Sequence, residues 1–96
     1  MALEIKWTPR AAKGHAEILE YLETHFTDRE IDEYKQQLEA FLALLCEQPK
    51  LLSPSSKQSK LRRGPVNKYT MLTYHYLPRK KQIRLIGLRA TRQKPQ

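Results

Sequence analysis

The segment KQSKLRRGPVNKYTMLTYHYLPRKKQIRLIGLRATR, residues 57–92, combines positive charge with strand-forming side chains and contains no acidic residue. We interpret three parts of it as short β-strands that carry cations: KQSKLRR, KYTMLTYHYL and KQIRLIGLR. Their aromatic and branched side chains favour a sheet. We therefore expect a basic sheet to be the working surface of the protein, with the preceding residues as its support.

Turn-forming residues delimit the expected strands. The pair Gly64-Pro65 predicts a break and a turn in the first strand. Residues 69–77 are aromatic and β-branched enough for a central strand, and residues 78–81 predict a turn into an antiparallel third strand at residues 82–89. Upstream, residues 49–60 are rich in Pro, Ser and Lys without periodicity, which predicts the loop that leads into the sheet.

The first quarter of the chain predicts one strand and one helix. Leu3, Ile5 and Trp7 alternate with charged residues, a period of two that indicates a half-buried strand ending at Trp7. The pair Thr8-Pro9 then suits the cap and first position of a helix. Gly14 in this helix either marks close packing or is incidental. The expected apolar face of the helix consists of Ala12, His15, Leu19, Leu22 and Phe26.

A second helix is predicted from Thr27 onward, because Thr27 followed by Glu30 matches a capping box. The helix is expected to end before Pro49. Its apolar face consists of Ile31, Tyr34, Leu38, Phe41, Leu42 and Leu45. The connection between the two helices is short, so they should form an antiparallel hairpin. The expected element order is β-α-α-β-β-β.

Length and cysteine content restrict the class of protein. The 96 residues suffice for one small domain, which we expect over residues 1–96. Cys46 is the single cysteine, so no intramolecular disulfide or thiolate metal cage can form, which favours a reducing cytoplasm. No segment approaches the roughly 18 apolar residues of a membrane span, and the N-terminus lacks a signal pattern. We expect a soluble, cytoplasmic protein without a cofactor, a metal or a membrane partner.

Charge is divided unevenly between the two halves of the chain. Residues 1–49 hold all ten acidic residues and five Lys or Arg, a net charge of −5. Residues 50–96 hold thirteen Lys or Arg and no acidic residue, a net charge of +13. A solvated basic surface is the common explanation for a moderate charge run. This density instead predicts a polyanion or an acidic protein as the partner.

Four patterns occur in one order along the chain: WTPRA at residues 7–11, Ile18 with Tyr21-Leu22, the strand at residues 66–74, and LRATRQKP at residues 88–95. In this order and at this spacing they resemble the RelE/ParE superfamily of bacterial type II toxins, over nearly the whole chain. The resemblance implies an α+β fold in which a helical hairpin packs on a twisted antiparallel sheet. It also implies the toxin of a toxin–antitoxin pair.

The resemblance leaves two mechanisms open. RelE-like toxins cut mRNA at the ribosome, and Lys60, Arg62 and Arg89 fall near the lysine and arginine positions of that activity. ParE-like toxins act on DNA gyrase and need no chemistry of their own. The remaining cations that we expect to contact nucleic acid or another target are Lys57, Arg63, Arg84, Arg92 and Lys94.

Metal-free RNA cleavage needs an acid and a base as well as cations. The C-terminal half has no carboxylate, and the tyrosine or histidine of RelE-like nucleases after the arginine is missing from residues 90–95. Lys60 is a candidate base beside Arg62, whereas a lone strand histidine such as His75 is more often structural. Tyr69, Tyr74 and Tyr76 suit either base stacking or packing.

We therefore slightly favour the gyrase-directed toxin over the ribosome-dependent mRNA endoribonuclease. A plain RNA- or DNA-binding module is a third hypothesis, which the charge alone allows. In either toxin mechanism the predicted partners are gyrase or the ribosome and mRNA, together with an antitoxin. The charge division predicts that the antitoxin is acidic and partly disordered, and that it folds across the cationic sheet and fills any groove between helices and sheet.

Overall fold

The computed structural model describes residues 3–55, 57–58 and 60–90. Its elements follow the predicted order β-α-α-β-β-β, and two helices pack on a four-stranded sheet, which confirms the α+β fold. The elements are β1 (Glu4–Trp7), α1 (Pro9–His25), α2 (Asp28–Glu47), β2 (Leu61–Asn67), β3 (Thr70–Leu77) and β4 (Gln82–Ala90), with one 3₁₀ turn at Pro78–Lys80.

The strands lie in the spatial order β1-β4-β3-β2. The pairs β2–β3 and β3–β4 are antiparallel, as expected for consecutive strands joined by turns. β1 pairs in parallel with β4, from Glu4 opposite Gln82 to Trp7 opposite Leu85. The sheet is therefore mixed: its three consecutive strands are antiparallel as predicted, and β1 adds a parallel edge.

β2 differs from the predicted strand in where it begins and in the role of Gly64-Pro65. It begins at Leu61, so Lys57 lies in the preceding loop and not in a strand. The pair Gly64-Pro65 lies inside β2 and makes no turn there. A strand interior tolerates Pro65 because β2 is at the sheet edge, where an amide need not join the ladder. The pairing register shifts between Pro65 and Asn67, and the turn into β3 follows at residues 68–69.

α1 begins as predicted, but its buried face is rotated from the expected one. The Thr8 hydroxyl accepts a hydrogen bond from the Ala11 amide at 3.2 Å and donates one to the Leu85 carbonyl at 2.7 Å, which fixes the start of α1 against β4. The buried side of α1 contains Ala11, Gly14 and Ile18. Leu19 and Leu22 of the predicted face pack against the core, whereas Ala12 is exposed on the helix and Phe26 is exposed just beyond its end.

Gly14 marks a close contact between α1 and β4. A Cβ atom at this position would lie 1.9 Å from the carbonyl oxygen of Leu88. Only a glycine lets the helix approach the strand this closely. The structure therefore assigns Gly14 a packing role, one of the two alternatives that the sequence left open.

α2 follows the sequence prediction closely. The Thr27 amide donates to the Glu30 carboxylate at 2.9 Å within the predicted capping box, and the helix ends at Glu47, before Pro49. The buried residues Tyr34, Leu38 and Leu45 belong to the predicted face. Neither helix in the described part of the chain is long and apolar enough to cross a bilayer. The buried core comprises Ala11, Ile18, Tyr34, Leu38, Leu45, Leu72, Tyr74, Ile83, Leu85 and Leu88.

Candidate functional site: a basic groove on the open sheet face

The helices cover one face of the sheet and leave the other face open. Cross-strand partners share a face. The buried pair Leu72 and Leu88 marks the face that packs on the helices, whereas the neighbouring pairs Thr73–Gly87 and Met71–Arg89 lie on the opposite, open face.

A groove of about 520 Å³ lies on this open face, between α1, the sheet and the loop before β2. We call it the basic groove, because five of its lining side chains are cationic: Arg10, Lys13, Lys57, Arg63 and Arg89. Glu17 is the one acidic side chain among the described lining residues. The floor and walls are completed by Gly14, Ser55, Leu61, Met71, Thr73, Ile86, Gly87 and Leu88.

Arg89 reaches the basic groove because of a β-bulge in β4. The pairing of β3 with β4 passes from Thr73–Gly87 to Tyr74–Leu85, so Ile86 is an extra residue without a partner on β3. Strict alternation from the buried Leu85 would place residues 87 and 89 toward the helices. The bulge reverses the alternation, which buries Leu88 and turns Arg89 to the open face.

Arg63 and Arg62 point to opposite faces because they are neighbours on a strand. Arg63 is opposite Thr73 and lines the basic groove. Arg62 is opposite the buried Tyr74, and its guanidinium donates a hydrogen bond to the Leu52 carbonyl at 2.6 Å. Arg62 therefore fixes the loop before β2 and does not line the groove.

The hydroxyl of Tyr74 holds the same loop. It donates to the Pro49 carbonyl at 2.7 Å, and the ring is 0% exposed. Burial raises the pKa of Tyr74 above its ordinary value, so the hydroxyl stays protonated as a donor. Backbone bonds add to this attachment, since the Arg63 amide donates to the Ser53 carbonyl at 3.1 Å. The loop thus covers the outer edge of β2.

The structure brings together three of the cations proposed from the sequence: Lys57, Arg63 and Arg89. Lys60 is exposed just before β2 and does not line the groove. Arg84 lies on the open face nearer the β3–β4 turn, where it donates to the Gln82 side chain at 3.5 Å. The remaining two candidates, Arg92 and Lys94, lie outside the described residues. Of the set Lys60, Arg62 and Arg89, considered for RNA cleavage, only Arg89 lines the basic groove.

Two of the lining cations, Arg10 and Lys13, were not predicted from the sequence. Both belong to residues 1–49, which have a net negative charge, so the division of charge along the chain did not point to them. Their place follows from topology: β1 pairs with β4 only as far as Leu85, and α1 then continues beside the second half of β4. The position of Arg10 and Lys13 at the groove therefore depends on the parallel β1–β4 pairing, which the local sequence pattern does not reveal.

The aromatic and histidine candidates have different surroundings. The buried Tyr74 has no face available for stacking, and Tyr76 packs against the core. His75 is opposite Arg84 on the open face and does not line the basic groove. Tyr69, in the β2–β3 turn, is 64% exposed.

Tyr69 and Phe26 border a second groove of about 270 Å³ between the helical hairpin and the ends of β3 and β4. We call it the apolar groove. It is lined by Ile18, Tyr21, Leu22, Phe26, Glu30, Glu33, Tyr34, Gln37, Asn67, Tyr69, Thr70 and Ala90. The Asn67 side-chain amide donates to the Gln37 side chain at 2.7 Å and joins the β2–β3 turn to α2. A groove between helices and sheet, expected from the sequence as part of the antitoxin surface, is therefore present.

A polar contact joins the two helices beside the core. His15 Nδ1 lies 2.8 Å from the Tyr34 hydroxyl, and the His15 ring also lies 5.3 Å from the Trp7 ring, centroid to centroid. Burial, and secondarily the charge of Lys35, lowers the pKa of His15. Burial raises the pKa of Tyr34. Burial thus favours the neutral imidazole and the protonated phenol in this contact.

Among its described lining residues, the basic groove combines five cations with one carboxylate, that of Glu17. Within residues 3–55, 57–58 and 60–90, no group of three or more His, Cys, Asp or Glu side chains could hold a metal ion. Cys46, at the end of α2, is half-buried and its thiol points to the Leu3 carbonyl at 3.5 Å. The arrangement in the basic groove suits anion binding.

A helical hairpin on one face of a four-stranded sheet, with cations on the open face, defines a small toxin domain of the RelE/ParE superfamily. The chain belongs to the family of ParE toxins of type II toxin–antitoxin systems, whose family model matches residues 5–95. Comparison with curated protein sequences finds no match. Membership in this family implies a cognate antitoxin as a partner.

Proposed function

We propose that this toxin arrests bacterial growth by binding DNA gyrase in the cytoplasm, without catalysing a reaction itself. The family match over residues 5–95 is the observation that carries the proposal. The positions of Lys60 and Arg62 support it, because a ribosome-dependent nuclease would need them beside Arg89. Arg62 is instead bonded to Leu52, away from the basic groove.

The test uses purified toxin, purified gyrase and relaxed plasmid. We expect the toxin to inhibit supercoiling and to increase linear DNA after detergent and protease treatment, the product of trapped gyrase cleavage complexes. Relaxation of supercoiled plasmid by topoisomerase I is the matched control, because a basic protein that merely coats DNA would inhibit both enzymes. Unimpaired supercoiling, or equal inhibition of topoisomerase I, would contradict the proposal.

The competing mechanism is tested in the same culture. A short pulse of toxin expression is followed by primer extension on abundant mRNAs and by measurement of plasmid supercoiling. We expect intact mRNA 5′ ends and altered supercoiling. New mRNA ends that require translating ribosomes, with supercoiling unchanged, would establish a RelE-like nuclease and refute the gyrase proposal.

We further propose that the antitoxin presents an acidic, partly disordered segment that folds across the open face and fills the apolar groove between helices and sheet. Two features support this: the +13 half of the chain, and an apolar groove suited to apolar anchors of a folding peptide. Co-expression with the adjacent open reading frame, followed by purification through a tag on the toxin, tests it. Recovery of an acidic partner that restores growth is expected, and the absence of any bound acidic neighbour would contradict it.

A further inference from the structure

The basic groove concentrates positive charge that the described protein does not neutralise. Its five cations come from α1, the loop before β2, β2 itself and β4, and face a single carboxylate, that of Glu17. No ion pair among the described residues engages Arg10, Lys13, Lys57, Arg63 or Arg89. Cations that line a concave surface focus their field into it and attract anions from a distance.

The cations flank the groove on both sides. Arg89 lies on β4 and Arg63 on β2, with β3 between them, so two strand spacings, about 10 Å, separate them across the sheet, and they are offset by two residues along the strands. Arg10 and Lys13 extend the positive wall beyond β4, and Lys57 extends it beyond β2. A sugar–phosphate strand carries one charge per roughly 3.4 Å of helix axis. It would therefore meet cations on both sides as it crossed the sheet.

The chemistry of the lining favours phosphate. Three of the five cations are arginines, whose planar guanidinium matches a phosphate with two parallel hydrogen bonds. Between them, Gly87 leaves the floor open, since a Cβ atom there would meet nothing within 4 Å. A backbone phosphate can therefore approach the sheet closely.

The lining also distinguishes duplex DNA from two other polyanions. Single strands are held by aromatic side chains on which bases stack, and none of the described lining residues is aromatic. Acidic protein segments gain affinity from apolar anchors in pockets, and the structure places its aromatic-lined apolar groove elsewhere, between the hairpin and the ends of β3 and β4.

We propose that the basic groove binds the phosphate backbone of duplex DNA, without sequence preference. This inference rests on the proposed function, because gyrase holds duplex DNA. A toxin bound to gyrase would then contact the enzyme and its DNA together. An acidic antitoxin that covers the open face would then compete with DNA for the same cations.

The test measures binding of the purified toxin to a fluorescent 20-base-pair duplex by anisotropy between 50 and 300 mM salt. With four or five phosphates neutralised, log K should fall against log salt with a slope of about −4. Arg63→Ala and Arg89→Ala should each weaken binding and make the slope shallower by about 0.9. Both side chains are exposed, so the variants should fold, and circular dichroism is the check on this.

Arg79→Ala and Lys80→Ala are the matched controls, because they remove equal charge from the turn at the far end of the β3–β4 hairpin. They should leave the slope unchanged. Equal effects in controls and groove variants would overturn the inference, since binding would then reflect net charge alone. The inference would also be overturned if a poly-glutamate peptide bound in a groove-dependent manner and the duplex did not. That result would assign the groove to an acidic protein.

The binding assay contains no gyrase, so the two proposals fail separately. Gyrase inhibition by a toxin that shows no groove-dependent DNA binding would overturn only this inference. Groove-dependent DNA binding by a toxin that leaves gyrase untouched would support this inference and refute the proposed function.

Discussion

The contact between Gly14 and β4 makes Gly14→Ala a sharp test of how α1 packs. The added methyl carbon would lie 1.9 Å from the Leu88 carbonyl oxygen, whereas ordinary contact begins near 3.4 Å, so helix and strand must separate by about 1.5 Å. The obstacle is backbone and no flexible side chain can move aside. We therefore expect a cost near the top of the overpacking range, about 3 kcal/mol.

The substitution also has a favourable effect, because alanine is a better helix former than glycine by about 1 kcal/mol. The net loss in the free energy of unfolding is then about 2 kcal/mol. For a domain of this size each kcal/mol shifts Tm by about 4–8 °C, so we expect Tm to fall by about 8–16 °C. Thermal unfolding followed by circular dichroism measures the change.

Gly87→Ala is the matched control, the same substitution at a glycine with free space around its Cβ position. Its Tm should stay the same or rise slightly, since glycine in a strand is less favourable than alanine by about 0.5–1 kcal/mol. If Gly14→Ala proved as stable as the wild type, the close approach of α1 to Leu88 would be refuted.

Two further predictions concern stability. Burial lowers the folded-state pKa of His15, so as pH falls the unfolded chain is protonated before the folded chain. The contribution of His15 to the free energy of unfolding should therefore be fully present above pH 6.5 and decrease as pH falls from 6.5 to the folded-state pKa. The slope is at most about 1.4 kcal/mol per pH unit, and urea titrations should show it in the wild type and not in His15→Gln. Arg62→Ala should lose the charged hydrogen bond to Leu52, about 1.5–3 kcal/mol, whereas Lys60→Ala should be neutral; equal urea midpoints for the two would refute this structural role of Arg62.

Much of the fold was predictable because its signals are local. The Thr27 capping box and the apolar face of α2 depend on residues three or four apart, and both are confirmed. β2 was less predictable, since the effect of Gly64-Pro65 depends on whether the strand is central or at an edge. The face of α1 was displaced by one residue because Ala12 and Ala11 are equally apolar, and only the contact with β4 distinguishes them.

The candidate site was predictable only in part, because it depends on contacts distant in sequence. Positive charge identified Lys57, Arg63 and Arg89. The sequence could not show that Arg62 turns away to the Leu52 carbonyl, since side-chain alternation in β2 needs a known register. Nor could it show that Arg10 joins the same groove, because that depends on the parallel pairing of β1 with β4.

The separation of the layers gives the molecule an electrical polarity. α2 carries six acidic residues, all exposed, and packs on the face of the sheet opposite the basic groove. Near a polyanion such a molecule experiences a torque as well as an attraction, so it approaches with the basic groove first and α2 last. Orientation before contact raises the fraction of collisions that lead to binding, and this advantage should fade as salt shortens the range of the field.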